Sequence, residues 1–153
     1  MISKKTKYAF KALIHLTETF NGPPVLIADL AKAGDIPKKF LEFILLSLRK
    51  GGLLVSKVGK GGGYSLAQPP HAITIGAIIR ILEGDLSPVQ CLSTTNYARC
   101  EECGDEETCG IRLTMADVNV ALATVLDNLT LADMIERSKA AQNKQRNIVD
   151  FNI

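Results

Sequence analysis

The stretch from Ile36 to Tyr64, IPKKFLEFILLSLRKGGLLVSKVGKGGGY, decides how this chain folds. It reads as an amphipathic helix that passes through glycines into a basic two-stranded hairpin. Phe40, Leu41, Ile44, Leu45 and Leu48 recur at steps of three and four, so they share one helical face and should be buried against neighbouring helices. Lys38, Lys39, Glu42, Phe43, Leu46, Arg49 and Lys50 fall on the opposite face. Pro37 suits the first helical position, and Gly51-Gly52 offers the left-handed residue that ends a helix. Leu53 to Val58 is apolar and partly β-branched, Gly59-Lys60-Gly61-Gly62-Gly63 makes a turn, and Tyr64-Ser65-Leu66 resumes an extended pattern. A nucleotide phosphate loop is set aside, because that motif needs glycine five residues before the Gly-Lys pair and Ser or Thr after it, and Leu54 and Gly61 stand there.

Just upstream, Ile27 to Ala33 has the apolar spacing of a short helix, and Gly34-Asp35-Ile36 reads as a turn. Short helix, turn, longer helix and basic hairpin make a helix-turn-helix with a wing, whose second helix would enter a major groove. A charged outer face alone is no more than a solvated face, but the charge of the whole chain is divided in the same sense. Residues 1–66 hold 11 Lys and Arg against 4 Asp and Glu, residues 67–136 hold 3 against 11, and residues 137–153 hold 4 against 1. A polyanion is therefore drawn to the first module and repelled by the second, which favours double-stranded DNA as partner.

With 153 residues, 46% of them apolar, the chain can bury one good core. It has no run of eighteen apolar residues to cross a bilayer and no secretory pattern at its start, so a bacterial-type cytoplasmic location is expected. A first helix, about Lys4 to Phe20, should bury Ala9, Leu13, Leu16 and Phe20. Its early lysines, Lys4, Lys5 and Lys7, sit at the positive end of the helix dipole, where backbone phosphates would compensate them. Thr74 can cap a helix over Ile75–Glu83 that stops at Gly84. His15 and His71 have no ligand-type partners nearby in sequence.

Beyond residue 110, Ile111, Met115, Val118, Leu122, Val125 and Leu129 alternate steps of four and three, the seam of a two-helix coiled coil. A homodimer through the helix 111–129 is expected, since twofold pairing doubles the base contacts of a helix-turn-helix. Thr130 and Asp133 form a capping box for a short final helix, Leu131 to Glu136. The expected organisation is a DNA-binding domain over 1–84, a cysteine-rich sensor loop over 85–109, a dimerisation helix and short final helix over 110–136, and a polar, mobile tail over 137–153.

The four cysteines, Cys91, Cys100, Cys103 and Cys109, fall in one loop and none in the predicted core. That distribution leaves a metal or iron-sulfur site, a thiol switch, or no chemistry. Cys100-x2-Cys103 is half of a zinc site whose second pair is missing, so zinc is the weaker fit; thiolate-only ligation also suits an iron-sulfur cluster. Nearby Glu101, Glu102, Asp105, Glu106 and Glu107 would lower the reduction potential of a cluster and raise the pKa of free thiols.

Lys7-Tyr8-Ala9, Phe40-Leu41-Glu42, Leu48-Arg49-Lys50-Gly51-Gly52-Leu53, Gly59 with Gly62-Gly63-Tyr64, and cysteines after residue 90 together resemble the Rrf-type winged-helix transcriptional regulators, which include IscR, NsrR and CymR. The resemblance spans Ser3 to about Glu136. It implies a mainly α fold: a winged helix-turn-helix with a small β-hairpin wing and a long C-terminal dimerisation helix. It also implies DNA contacts from Lys4, Lys5, Lys7, Lys38, Lys39, Glu42, Phe43, Arg49, Lys50, Lys57, Lys60, Gly61 and Gly62. By the same likeness Cys91, Cys103 and Cys109 match the cysteines that hold an iron-sulfur cluster in IscR and NsrR, expected here as 2Fe-2S, with Cys100 as alternative or fourth ligand. Arg112 stands where IscR has a histidine ligand. Val58 stands where several members place a minor-groove arginine, leaving Lys57 and Lys60 as substitutes. Glu42 matches a base-reading acidic position, and Phe43 replaces a polar residue, open to a thymine-methyl contact or to packing. A contact with RNA polymerase has no motif here. Two alternatives remain at the level of sequence: the same regulator without a cluster, responding through thiol redox or a partner, and a small iron-sulfur electron carrier. The second leaves the basic module without a use, and no nucleophile–base or acid–base pairing suggests an enzyme.

Overall fold

Several helix ends in this chain are set by identifiable caps, and they fix where the helix-turn-helix and the cysteine-bearing loop lie. The structure, a computed structural model, describes residues 2–150. Ser3 caps α1 (Lys4–Glu18), its hydroxyl accepting from the Thr6 amide at 3.3 Å. The short α2 (Ile27–Gly34) ends on Asp35 with φ of 50°, so within the expected turn it is Asp35 that takes the left-handed conformation. Gly34 serves otherwise: a Cβ there would press on the Ile36 side chain. The longer helix α3 (Lys38–Lys50) starts one residue later than expected, with Pro37 in cap position, and Gly52 at φ 78° turns the chain out of it.

Leu41, Ile44, Leu45 and Leu48 of α3 are buried against Ala9, Leu13 and Leu16 of α1 and Leu30 of α2 in one continuous core. Phe40, expected with them, is 39% exposed: it sits at the rim, where the Tyr8 ring meets it edge-on at 5.8 Å between centroids. Phe20 likewise lies past the end of α1 and is only half-buried. Strands β1 (Leu54–Lys57) and β2 (Gly63–Leu66) pair antiparallel with Leu54 opposite Leu66 and Lys57 opposite Gly63. Val25 adds a third, one-residue rung: its amide donates to the Tyr64 carbonyl at 2.9 Å, and the Tyr64 amide donates back at 2.8 Å. Gly63 allows this approach, since its φ is 143° and a Cβ would run into the Val25 carbonyl.

After a 3-10 turn at Pro70–Ala72, Thr74 caps α4 (Ile75–Glu83), accepting from the Ala77 amide at 3.1 Å. Ile75, Ile78, Ile79 and Leu82 are buried, and Gly84 ends the helix. A loop with one 3-10 turn at Gln90–Leu92 carries the cysteines to α5 (Gly110–Asn128). The Thr130–Asp133 box forms in both directions and opens α6 (Leu131–Asp150). The expected stop at Glu136 does not occur: the polar stretch beyond it is rich in Ala, Gln, Lys and Arg, strong helix formers that need no buried face to continue the turn. Residues 151–153 of the expected tail lie outside the described residues.

Two ties hold the long helix to the first module. The Ile75 amide donates to the Leu129 carbonyl, and the Leu131 amide donates to Ile73, both at 2.8 Å. Arg80 meets both oxygens of Asp127, at 2.5 and 2.9 Å. Leu126 and Leu129 pack on the core, so the last residue of the expected coiled-coil seam is taken up within the chain. Of the rest, Met115 is half-buried, while Ile111, Val118, Leu122 and Val125 are 69, 40, 42 and 57% exposed, and Leu113 and Val120 off the seam are exposed as well. None of the described helices is long and apolar enough to cross a membrane.

Candidate DNA-binding surface and cysteine site

Lys38, Lys39, Glu42, Phe43, Arg49 and Lys50 all lie exposed on α3, and Lys57, Lys60 and Gly61 are exposed on the wing. Arg49 is not free-swinging: its Nη1 donates to the Ser56 hydroxyl of β1 at 2.9 Å, joining helix and wing. Lys4 and Lys7 are exposed on α1, with the Lys4 ammonium 5.5 Å from the centre of the Tyr8 ring. Two expected contacts are engaged elsewhere. Lys5 turns away and donates to the Leu82 carbonyl at the end of α4. Gly62 is buried and donates its amide to Gly59 at 2.9 Å, so it closes the turn, where a Cβ would collide with the Lys57 carbonyl. Ser56 and Lys11 carry no signal of their own in the sequence. Lys11 nevertheless donates to the Gly34 carbonyl at 3.1 Å and braces α1 against the turn.

Phe43 shares the outer face of α3 with these charges and is 70% exposed. Val58, at the wing tip, is 93% exposed. Neither belongs to the core or to the half-buried residues packed against it.

The cysteine loop is rooted at Asp85, which sequence reading passed over. Its Oδ2 accepts from the Ser93 hydroxyl at 2.7 Å and from the amides of Thr94 and Thr95 at 2.6 and 3.4 Å, and Oδ1 accepts from the Ser87 amide at 3.3 Å. These bonds, the Ser93 hydroxyl first, outweigh burial and hold the carboxyl far below the usual aspartate range. An acidic residue just after a helix-ending glycine, with Ser and Thr downstream, is the legible form of such a side-chain turn. Further along, Arg99 donates to the Cys103 and Gly104 carbonyls at 3.4 and 3.2 Å. The Tyr97 hydroxyl donates to Glu106 at 2.9 Å, and Asp105 accepts from Thr108 at 2.9 Å.

So tied, the loop brings Cys91, Cys100, Cys103 and Cys109 to the wall of one cavity of about 410 Å³, with Arg99 and Arg112 beside them. All four thiols are free. Cys109 is the residue before α5 and makes no ordinary capping bond, yet the Arg112 backbone N–H pulls its pKa below the usual thiol value, with the Cys103 thiol adding to this. Burial raises the pKa of Cys103, as does donating to Cys109. The two thiols thus shift in opposite directions, Cys109 being the more acidic of the pair. The Arg112 Nε is buried without a hydrogen-bond partner.

Does this donor set fit an iron-sulfur cluster? Among the described residues no three Cys, His, Asp or Glu side chains converge on a single ion position. A binuclear cluster spreads four thiolates over two irons, so it asks for four donors around a space rather than three around a point. Four thiols on one cavity wall, with the cationic side chains of Arg99 and Arg112 lining the same cavity, fit such an anionic group by donor chemistry.

The family model described as an iron-dependent transcriptional regulator, Rrf2, matches residues 2–137. An rrf2-like HTH-type transcriptional regulator of Rhodobacter capsulatus is 40% identical over 144 residues, covering 92% of this chain and 96% of the relative. Among solved structures, CymR, the global cysteine regulator of B. subtilis, aligns with TM-score 0.71 at 31% identity over 90% of this chain and 97% of its own. T. potens IscR aligns with TM-score 0.70 at 30% identity, covering 93% and 90%. These relatives are regulators, not enzymes, and a mainly helical winged helix-turn-helix is common to them and to this structure. The chain therefore belongs to the Rrf2 family of transcriptional regulators.

Proposed function

We propose that the chain acts as a cytoplasmic homodimer that reads twofold DNA sites with α3 and the wing. In this reading an iron-sulfur cluster, of the 2Fe-2S type, is held by Cys91, Cys100, Cys103 and Cys109 and sets the affinity for DNA. One observation carries it: the four thiols share a cavity at the start of α5, the helix whose apolar residues are left uncovered. Residues 1–84 bind DNA, 85–109 sense, and α5 pairs with its copy. Leu86, Val118, Leu122 and Leu126 line a further cleft of about 480 Å³ beside α4, suited to receive the partner's apolar side chains. When bound, the cluster supplies a redox-active anionic centre. Asp85, Asp105 and Arg99 hold the loop in shape for it, and Arg112 offers it a charge-assisted hydrogen bond.

The test is anaerobic purification with an absorption spectrum, iron and sulfide analysis, sedimentation, and titration of duplexes before and after the metal is removed. Charge-transfer bands with iron and sulfide, a dimer, and a changed affinity on removal are expected. Zinc alone, or no metal with unchanged affinity, would sink the cluster reading. A second reading keeps the DNA surface and dispenses with the cluster. It is favoured by the free thiols of Cys103 and Cys109 on one cavity wall, a pair that an external two-electron oxidant would join as a disulfide with release of both thiol protons.

A further inference from the structure

Folding leaves one large aromatic side chain on the recognition helix with nothing to cover it. Phe43 is 70% exposed and, among the described residues, belongs to no packed cluster and has no aromatic partner, in contrast to Phe40 three residues earlier, which the Tyr8 ring covers. Among the described residues nothing packs against it. Its place is specific. Lys39, Glu42, Phe43, Leu46 and Lys50 form one outward stripe of α3, and Phe43 is at the middle of the helix with cations at both ends. Ser47, one turn on, donates its hydroxyl to the Phe43 carbonyl at 2.9 Å and so is turned to its own backbone. No polar group next to the ring on that side competes for a base edge.

The partner that fits an apolar ring flanked by lysines and one carboxylate is a duplex whose major groove presents an apolar group. In B-DNA that group is the thymine C5-methyl. We infer that Phe43 selects thymine at one position of each half-site by covering its methyl group. This rests on the reading of α3 as the groove-entering helix. The lysines of the stripe meet the phosphates on either side and position the ring without choosing a base.

The probe is a set of duplexes selected from random sequence by the full-length protein, in which each thymine is then replaced singly by deoxyuridine. That change removes the methyl and leaves the hydrogen-bonding edges intact. Parent binding should fall about fourfold, the worth of one buried methyl-sized group, at one thymine of each half-site. Phe43→Gln should bind thymine and deoxyuridine alike at that position. At the same position, 5-iododeoxyuridine under near-ultraviolet light should crosslink the peptide that contains Phe43, which serves as a check should the variant bind too weakly to titrate. The inference is overturned if no single replacement weakens the parent, if Phe43→Gln keeps the full methyl dependence, or if the crosslink maps to another peptide. Should no duplex be selected at all, it is the DNA reading of α3 that fails, and the inference with it.

Discussion

Arg49 links two parts of the proposed DNA-binding surface, since it grows from the last turn of α3 and its guanidinium donates to the Ser56 hydroxyl of β1. A cation held in place loses less side-chain entropy when it meets a phosphate than one that must first be ordered. Arg49→Ala should weaken binding to any duplex and lower the slope of log affinity against log salt by about 1, measured by fluorescence anisotropy over a salt series. Lys60→Ala should act alike, as its ammonium is carried on the wing turn. Equal affinities and slopes for both variants and the parent would remove these residues from the surface. Ser56→Ala should weaken binding less than Arg49→Ala and leave the slope unchanged, because the charge remains. Asp85 is the corresponding residue of the cysteine loop. Asp85→Ala frees the Ser93 hydroxyl and the Thr94 and Thr95 amides, whose hydrogen exchange should quicken while that of α1 to α4 does not.

Among the elements, the wing shows how far glycine is a structural requirement. Gly62→Ala would drive a Cβ into the Lys57 carbonyl, and Gly63→Ala into that of Val25, at backbone atoms that cannot step aside. Each should cost about 1–3 kcal/mol and abolish tight DNA binding, whereas Gly104→Ala, in open space, should leave both melting temperature and affinity unchanged. The elements that were legible in the sequence had marked ends. Thr74 and Gly84 bracket α4 at the expected residues, and the Thr130–Asp133 box starts α6 where expected. What was not legible lacked periodicity or needed the third dimension. The extension of α6 past Glu136 has no apolar stripe to announce it, and Lys5 looks like any other early lysine until α4 is seen to end against it. The cysteines could be read as one site from their clustering, but their arrangement around a cavity depends on Asp85 and Arg99, which bond across the loop in a way spacing does not encode.

For the whole molecule, the uncovered residues of α5 carry the prediction. Leu122→Glu places a carboxylate in the seam and should convert a dimer to a monomer in sedimentation while leaving the circular-dichroism melt of the DNA-binding module in place. Affinity for a twofold site should fall with it, by 10-fold or more on an order-of-magnitude scale, since one of two half-site contacts is lost. A variant that stays dimeric would move the interface elsewhere. The Arg80–Asp127 pair adds a pH dependence. The hydrogen bond from Arg80 lowers the Asp127 pKa below its ordinary value of 3.8, so its stabilisation is full above that value and fades as pH falls through the lowered one. At neutral pH Asp127→Asn should cost about 0.5–1 kcal/mol in urea unfolding, a modest figure because both partners are more than a third exposed. The gap between parent and variant should close in acid; a gap that stays constant would mean that the pair contributes nothing.

The rungs between Ile73–Ile75 and Leu129–Leu131, with the Arg80–Asp127 bond beside them, all lie at one end of α5, and the thiols lie at the other. The 19 residues between make a rigid rod of about 28 Å with a fulcrum at its foot. A push of about 1 Å at the thiol end then swings the rod by about two degrees, and two rods joined along their length would share that swing. In the proposed dimer, the spacing of the two α3 helices is then trimmed by ångström-scale rearrangements at the sulfurs, with no need for any helix to melt or shift register.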